Sequence, residues 1–384
     1  MPDPQTTVLR RVGVVGGGQL AHMMGEAADA LELELTVLAT SSDDSATATI
    51  DRVLLGDATN AEALARLADA VDVITFDHEL VDLEALEALE ATGAVLRPSP
   101  RALRYSVDKA FQRRAFSEQG LPVPQFLVVN DADDDRLAPF LDALTAPPVV
   151  KASRGGYDGR GVAMTASRED ALEAIKEMAT RGEVVVEERM ALVGEVAQLV
   201  ARSSDGALTF YPVVTTVQRE GMCAEVRFPS ELDEETLADA RRLTSAIAHL
   251  VEGVGIMAVE YFVTEAGLLI NEIALRPHNS GHWTIEGTST SQFAQHLRAV
   301  SGQSLGDVET LAPCAVMVNV VGADQPGSLE AARAVRHTFV HDYGKSWRPG
   351  RKLGHVTALG DEPQSPHVRA WDSALAYGTV TQEA

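Results

Sequence analysis

Only two of the 384 residues are cysteine, Cys223 and Cys314. Two thiols cannot form a zinc site alone, and both are expected to be reduced core residues of a cytoplasmic protein. No stretch approaches the ~18 uncharged apolar residues that a membrane span needs, so no membrane partner is expected. Met1-Pro2-Asp3-Pro4-Gln5 lacks a basic segment followed by an apolar run, and no signal peptide is expected. Basic residues are in deficit: 32 Lys and Arg against 56 Asp and Glu leave a net charge of −24. That field repels phosphate polymers and argues against a nucleic-acid partner. It also makes any local concentration of positive charge informative. The chain is too long for one compact core, so two or three domains are expected.

Such a concentration follows the apolar run Val149-Val150. Lys151-Ala152-Ser153-Arg154-Gly155-Gly156-Tyr157-Asp158-Gly159-Arg160-Gly161 holds four glycines, two arginines and a lysine, and Val162-Ala163-Met164 comes next. Two short strands joined by a cationic glycine loop make a flap that can fold over an anion, a nucleoside triphosphate above all. No Gly-Lys-Ser/Thr ends the loop, so it is not a Walker A motif. The second basic cluster spans Lys345 to Lys352 and suits the phosphate of a small substrate.

The fold class expected from the order of patterns is α/β. Arg11 to Val15 reads as a strand ending in Gly16-Gly17-Gly18-Gln19-Leu20, with a helix after it, as in a doubly wound parallel sheet. The strand Glu34 to Leu38 carries no acidic residue at its tip, which weakens a dehydrogenase reading. Val71 to Phe76 is a buried strand leading to Asp77-His78-Glu79, where ligands of open α/β sheets bind. Ala94 to Leu96 reads as a further strand. The domain is expected to close near residue 98, followed by one basic helix from Arg101 to Gln119. Strands and helices from about 120 to 190 form a lid. Residues 99–310 then make a central α+β domain that includes the lid, and 311–384 a small β-rich C-terminal domain with a frayed tail from Thr379.

Gly255 to Val263 and Leu268 to Ile273 read as a β-hairpin. With a three-residue loop, Glu265 to Gly267, Glu260 falls opposite Glu272. Carboxylates that close repel unless one is protonated or a cation lies between them. With Asn271 they form the oxygen donor set that Mg²⁺ favours. The loop Arg276-Pro277-His278-Asn279-Ser280-Gly281-His282-Trp283 is dense in polar heads and reads as a site or an exposed turn.

Flap, carboxylate hairpin and preceding lysine together resemble the ATP-grasp superfamily. The glycine turn, the flap, the Arg276 to Trp283 loop and Arg348-Pro349-Gly350-Arg351-Lys352 resemble, within it, the 5-(carboxyamino)imidazole ribonucleotide synthetase family. The resemblance runs from about residue 11 to 356 and implies a homodimeric ligase using ATP, Mg²⁺, bicarbonate and 5-aminoimidazole ribonucleotide through carboxyphosphate. It implies that Lys109 and Lys151 contact the ATP phosphates and that Gly156 to Val162 cover them. Glu187, Glu188 and Met190 frame adenine, Glu195 meets the ribose, and Gln218 and Asn271 line the nucleotide. Glu260 and Glu272 hold Mg²⁺. Gly18, Gln19, Leu20, Glu79, His278, Asn279, Lys345, Arg351 and Lys352 bind the imidazole nucleotide. Tyr157, Asp158, Arg160 and Arg276 act in the chemistry. Ala21-His22, Lys109, Gln218 and Leu275 depart from the family's usual Gly-Arg, Arg, His and Pro. Formate-dependent glycinamide ribonucleotide transformylase or a biotin carboxylase-like ligase is the nearest alternative; a nicotinamide-dependent oxidoreductase is the alternative from another class.

Overall fold

The computed structural model describes residues 8–156, 161–219 and 221–380. Three sheets organise the chain. The first is parallel, ordered β3-β2-β1-β4, from β1 (Arg11–Val15), β2 (Glu34–Ala39), β3 (Arg52–Leu55) and β4 (Val73–Phe76). Helices α1 (Gln19–Ala28), α2 (Ala61–Ala70) and α3 (Leu83–Ala91) accompany it. Every residue of β4 is buried, as covering both faces of a parallel sheet requires. Ala94 to Leu96 is not a strand; it contributes a single parallel bridge, Ile74 to Leu96.

The basic segment after residue 100 is two helices, α4 (Pro100–Val107) and α5 (Lys109–Glu118), where one was expected. Asp108 causes the break. Its extended backbone starts α5 and its carboxylate accepts from Phe111 N, an N-cap that competes with helix continuation.

The lid is a four-stranded antiparallel sheet ordered β5-β8-β6-β7. It comprises β5 (Phe126–Val129), β6 (Val149–Ala152), β7 (Val162–Met164) and β8 (Val184–Glu187), packed on α6 (Leu137–Ala143) and α7 (Arg168–Ala179). The third sheet has nine strands: β9 (Gly194–Arg202), β10 (Leu208–Phe210), β11 (Val214–Arg219), β12 (Met222–Phe228), β13 (Gly255–Thr264), β14 (Gly267–Ala274), β15 (Cys314–Val321), β16 (Thr338–Asp342) and β17 (Lys352–Gly360). The C-terminal strands extend this same sheet, because β12 pairs with β15. Helix α8 (Glu234–Val251) packs on it, and α9 (Thr284–Gly287) and α10 (Gln292–Ser301) follow the hairpin. Helices α11 (Leu329–Ala334) and α12 (Gln364–Tyr377) cover the C-terminal strands. Thr379 is buried and hydrogen-bonded to Val321 N, so fraying does not begin there. Both cysteines are buried and unpaired. Among the described residues, no helix is long and apolar enough to cross a membrane.

One apolar cluster runs from Val15 and Leu64 through Phe116 of α5 to Leu243 and Ile247 of α8 and Tyr261 of β13. It fixes the first sheet against the third and carries α5 between them.

The glycine turn after β1 is built for close approach. Gly16 has φ +101°, and a Cβ there would lie 2.8 Å from the His78 ring. Gly18 has no side chain to cap α1, and Asp77 does so from β4's end, accepting from Gly18 N at 2.8 Å and Ala21 N at 2.9 Å. Asp77→Ala is expected to cost about 1–3 kcal/mol by leaving these N–H groups unpaired. A lowered urea midpoint checks this; an unchanged one contradicts it.

Candidate active site

Glu260 and Glu272 are direct cross-strand partners, but by a different route from the one the pattern implied. The loop is two residues, since Thr264 pairs with Gly267, and Tyr261 pairs with Ile270. Asn271 has no cross-strand partner in this register. It is the extra residue of a bulge that shifts the register by one and brings Glu272 opposite Glu260.

Cations gather on this hairpin. Lys109, the first residue of α5, donates to Glu272 Oε2 at 2.8 Å. Lys151 of β6 lies 2.6 Å from Glu187 Oε2 and 3.4 Å from Asn271 Oδ1. Arg113, one turn along α5 from Lys109, donates to Glu187 Oε1 at 2.5 Å and to the Asn271 carbonyl at 2.6 Å. Glu187 is thus buried between two cations, and contact with a base would have to come from its backbone. Burial alone would raise its pKa; Arg113 and Lys151 outweigh that and hold it down at about 2. Burial, then Glu272 and Glu195, push Glu260 upward. Lys109 holds its partner Glu272 down against its own burial. Burial pulls Lys151 down despite Glu187. Glu195, raised mainly by burial, also feels Lys151 and Glu272, and so belongs to the cluster.

The flap's root is tied to the same helix. Ser153 Oγ donates to Asp108 at 2.7 Å, Arg154 donates to Asp108 Oδ2, and Lys109 N donates to the Ser153 carbonyl. Gly161, at φ +75°, closes the hairpin through its carbonyl to Ala152 N, and a Cβ there would press on the Gly156 backbone. Val162 pairs with Lys151. Tyr157, Asp158, Gly159 and Arg160 lie outside the described residues. Glu188 is half-buried with its N–H donating to the Gln125 carbonyl, Met190 follows it, and Gln218 sits at a register shift opposite Cys223.

On the other side of the hairpin, Glu79 accepts from Leu275 N at 2.9 Å and from Arg276 Nε at 3.2 Å. His278 Nε2 is 3.5 Å from Glu260, and its neighbour Asn279 has a buried Nδ2 with no hydrogen-bond partner among the described residues. A cavity of about 580 Å³ opens between the first domain and the C-terminal turn. Gly16 to Gly18, Asp44, His78, Lys345 and Arg351 help to line it. Lys345 donates to Gln19 Oε1 at 2.7 Å across this junction. Leu20 is buried in the core of the first domain, so only its backbone can face the cavity. Lys352 is not among the residues lining the cavity, and its charge acts on Glu260. Because Asp77 already caps α1, a carboxylate stands where a dehydrogenase would seat a pyrophosphate.

A ribonucleotide synthetase preATP-grasp domain model matches residues 9–106, an ATP-grasp domain model 114–293, and a phosphoribosylaminoimidazole carboxylase C-terminal domain model 315–366. The N5-carboxyaminoimidazole ribonucleotide synthase of Mycobacterium tuberculosis is 46% identical, over 96% of this chain and 89% of that protein. The chain belongs to the N5-carboxyaminoimidazole ribonucleotide synthase family. A crystal structure of such a synthase from Aspergillus clavatus, in complex with ADP and 5-aminoimidazole ribonucleotide, matches with TM-score 0.86 and 30% identity, covering 96% of this chain and 98% of that one. The synthetase of Thermus thermophilus matches at TM-score 0.87 and 32% identity, covering 97% of this chain and 100% of that one. The oxidoreductase alternative is thereby set aside.

Beside the residues that this family resemblance singles out, the fold brings in Asp77, His78, Asp108 and Arg113. The sequence carried signals for three: Asp77 and His78 follow a buried parallel strand, and Arg113 stands four residues after Lys109, on the same helix face. Asp108 gave no signal, and the capping role of Asp77 none, since each works through partners distant in sequence.

The raised pKa of Glu260 has a sign. Its native form holds a proton more tightly than the unfolded chain, so metal-free stability falls as pH rises from the ordinary glutamate range, ~4.3, through about 8. Glu260→Gln removes that ionisation. In EDTA, its melting temperature minus that of the unaltered protein is expected to grow between pH 5.5 and 8.5; a difference independent of pH contradicts the assignment.

Proposed function

We propose that this protein carboxylates 5-aminoimidazole ribonucleotide with ATP and bicarbonate, giving the N5-carboxyamino nucleotide, ADP and phosphate. The observation that carries the reading is the meeting of Lys109, Lys151, Glu260 and Glu272 where the lid faces the large sheet. We further propose domain divisions near residues 98 and 310, a cytoplasmic location and a homodimer.

Bicarbonate oxygen attacks the γ-phosphorus as the bond to ADP breaks. The exocyclic amine then takes the carboxyl carbon of carboxyphosphate, phosphate departs, and the amine loses a proton. Both steps gather charge on oxygen rather than needing a protein nucleophile, so positioning and neutralisation are the protein's work. Lys109 and Lys151 supply the positive charge. For ATP to be reached, each must share or exchange its present carboxylate partner. Glu187, Glu188 and Met190 border the base, with Glu195 and Gln218 beside the nucleotide. Glu260 and Glu272 would hold Mg²⁺, with Asn271 adjacent. The fit is that of an open site: among the described residues no group of three or more His, Cys, Asp or Glu could hold a metal, and Mg²⁺ characteristically takes one or two carboxylates with substrate phosphates completing its shell. Bound there, it would offset the phosphate charge.

Lys345 and Arg351, in the cavity beside Gln19, suit the nucleotide's phosphate. Glu79 holds Arg276 and His278 reaches Glu260, and the amine would meet its carboxyl donor beside these residues and Asn279. Tyr157, Asp158 and Arg160 complete the proposed flap, which shields carboxyphosphate from water.

ADP release should require aminoimidazole ribonucleotide and bicarbonate together. Formate with glycinamide ribonucleotide should not substitute, and turnover with that pair instead contradicts the proposal. Lys345→Ala is expected to raise KM for the imidazole nucleotide about tenfold or more with little change in KM for ATP. Equal effects on both would refute the placement of the phosphate.

A further inference from the structure

Arg113 is almost wholly buried, with a relative exposure of 2%, and the proposed chemistry gives it no substrate to touch. Two of its hydrogen bonds nevertheless land on different parts of the nucleotide site. Nε donates to Glu187 Oε1 at 2.5 Å, at the end of lid strand β8. Nη2 donates to the Asn271 carbonyl at 2.6 Å, in the hairpin of the large sheet. Nη1 donates at 2.9 Å to Gln112 Oε1, and Gln112 is itself held by the Tyr105 carbonyl.

Asn271 is the bulged residue. A bulge leaves its extra residue outside the regular ladder, so the backbone there needs another partner to be held in one conformation. The Arg113 guanidinium is that partner for the carbonyl. Lys151 approaches the same residue's Oδ1 at 3.4 Å and is joined to Arg113 through Glu187. The bonds close a ring: Arg113, Glu187, Lys151, the Asn271 side chain, the Asn271 carbonyl, and Arg113 again. Slipping the bulge by one residue would carry Glu272 off the face it shares with Glu260.

We infer that Arg113 is a positioning residue that locks the Asn271 bulge to lid strand β8, so that Glu260 and Glu272 are set in register with the nucleotide-side residues before ligand arrives. The inference rests on the proposed binding of ATP with Mg²⁺ and adds to it a residue that acts only through others. It needs a planar fork with donors at two angles. A lysine ammonium can replace the charge opposite Glu187 but cannot reproduce both bonds in the same geometry.

The test compares Arg113→Lys with the unaltered protein by calorimetric titration of ADP, once in EDTA and once with excess Mg²⁺. The variant is expected to bind ADP without metal within about twofold of normal and to lose about tenfold of the affinity that Mg²⁺ adds, the size of one charge-assisted hydrogen bond. Its kcat should fall with the metal-dependent gain. Arg113→Met is the second variant should lysine prevent folding, since Glu187 keeps Lys151 as counter-ion; it should show the same selective loss. A gain from Mg²⁺ equal to that of the unaltered protein in either folded variant overturns the inference, as does an equal loss with and without metal, which marks a merely structural role. If the unaltered protein shows no gain from Mg²⁺, the proposed nucleotide site falls together with this inference. A normal gain there and in the variants removes only the role of Arg113.

Discussion

Burying charge inside a protein of net charge −24 is the constraint on which the site depends. Glu187 lies 2% exposed, Arg113 likewise, and Lys151 8% exposed. An isolated charge at such depth would neutralise or stay in water, so these groups persist because each is the other's counter-ion. The arrangement ties three separate elements together. Helix α5 brings Lys109 and Arg113, the lid brings Lys151 and Glu187, and the hairpin brings Asn271 and Glu272. None of these elements could carry its charged groups inward alone. Removing one partner from such a network is expected to cost more than the pair contributes, because a buried charge is left behind.

The same electrostatics leaves the cluster ready for exchange. Glu272, the more open of the two, is held down by Lys109, while burial and the charge of Glu272 push Glu260 upward. Two acids of one type are separated by their surroundings, as recurs where a site must accept a cation or a proton. Incoming phosphates would compete for the lysines, and the carboxylates then need a replacement for the positive charge they lose. A divalent cation arriving with the nucleotide answers both demands at once. The cavity between the capped glycine turn and Lys345 is lined by neither Glu260 nor Glu272.

Much of this was legible in the order of residues. Glycine-rich flap, carboxylate hairpin and basic turn each keep their chemistry within a few neighbours, so composition and spacing expose them. The hairpin was read with a loop one residue too long, and the bulge at Asn271 compensated that error, so Glu260 and Glu272 still meet. The helix break at Asp108 was not legible, because an aspartate amid basic residues looks like a surface charge until Ser153 and Arg154 arrive from the flap. Likewise the resemblance set Glu187 beside adenine without showing that its side chain is taken up by Arg113 of α5 and Lys151 of β6. Local pattern reports what a segment is able to do. It does not report which distant segment will saturate it.

The central claim, that this cluster serves attack of bicarbonate on a γ-phosphate, is tested most directly by isotope transfer. With ¹⁸O-labelled bicarbonate, ATP and aminoimidazole ribonucleotide, attack by a bicarbonate oxygen leaves that oxygen on phosphorus when the carboxyl carbon departs. The expected result is one ¹⁸O in each phosphate released, seen by mass spectrometry alongside the carboxylated nucleotide. Phosphate carrying no label while that nucleotide accumulates contradicts the claim.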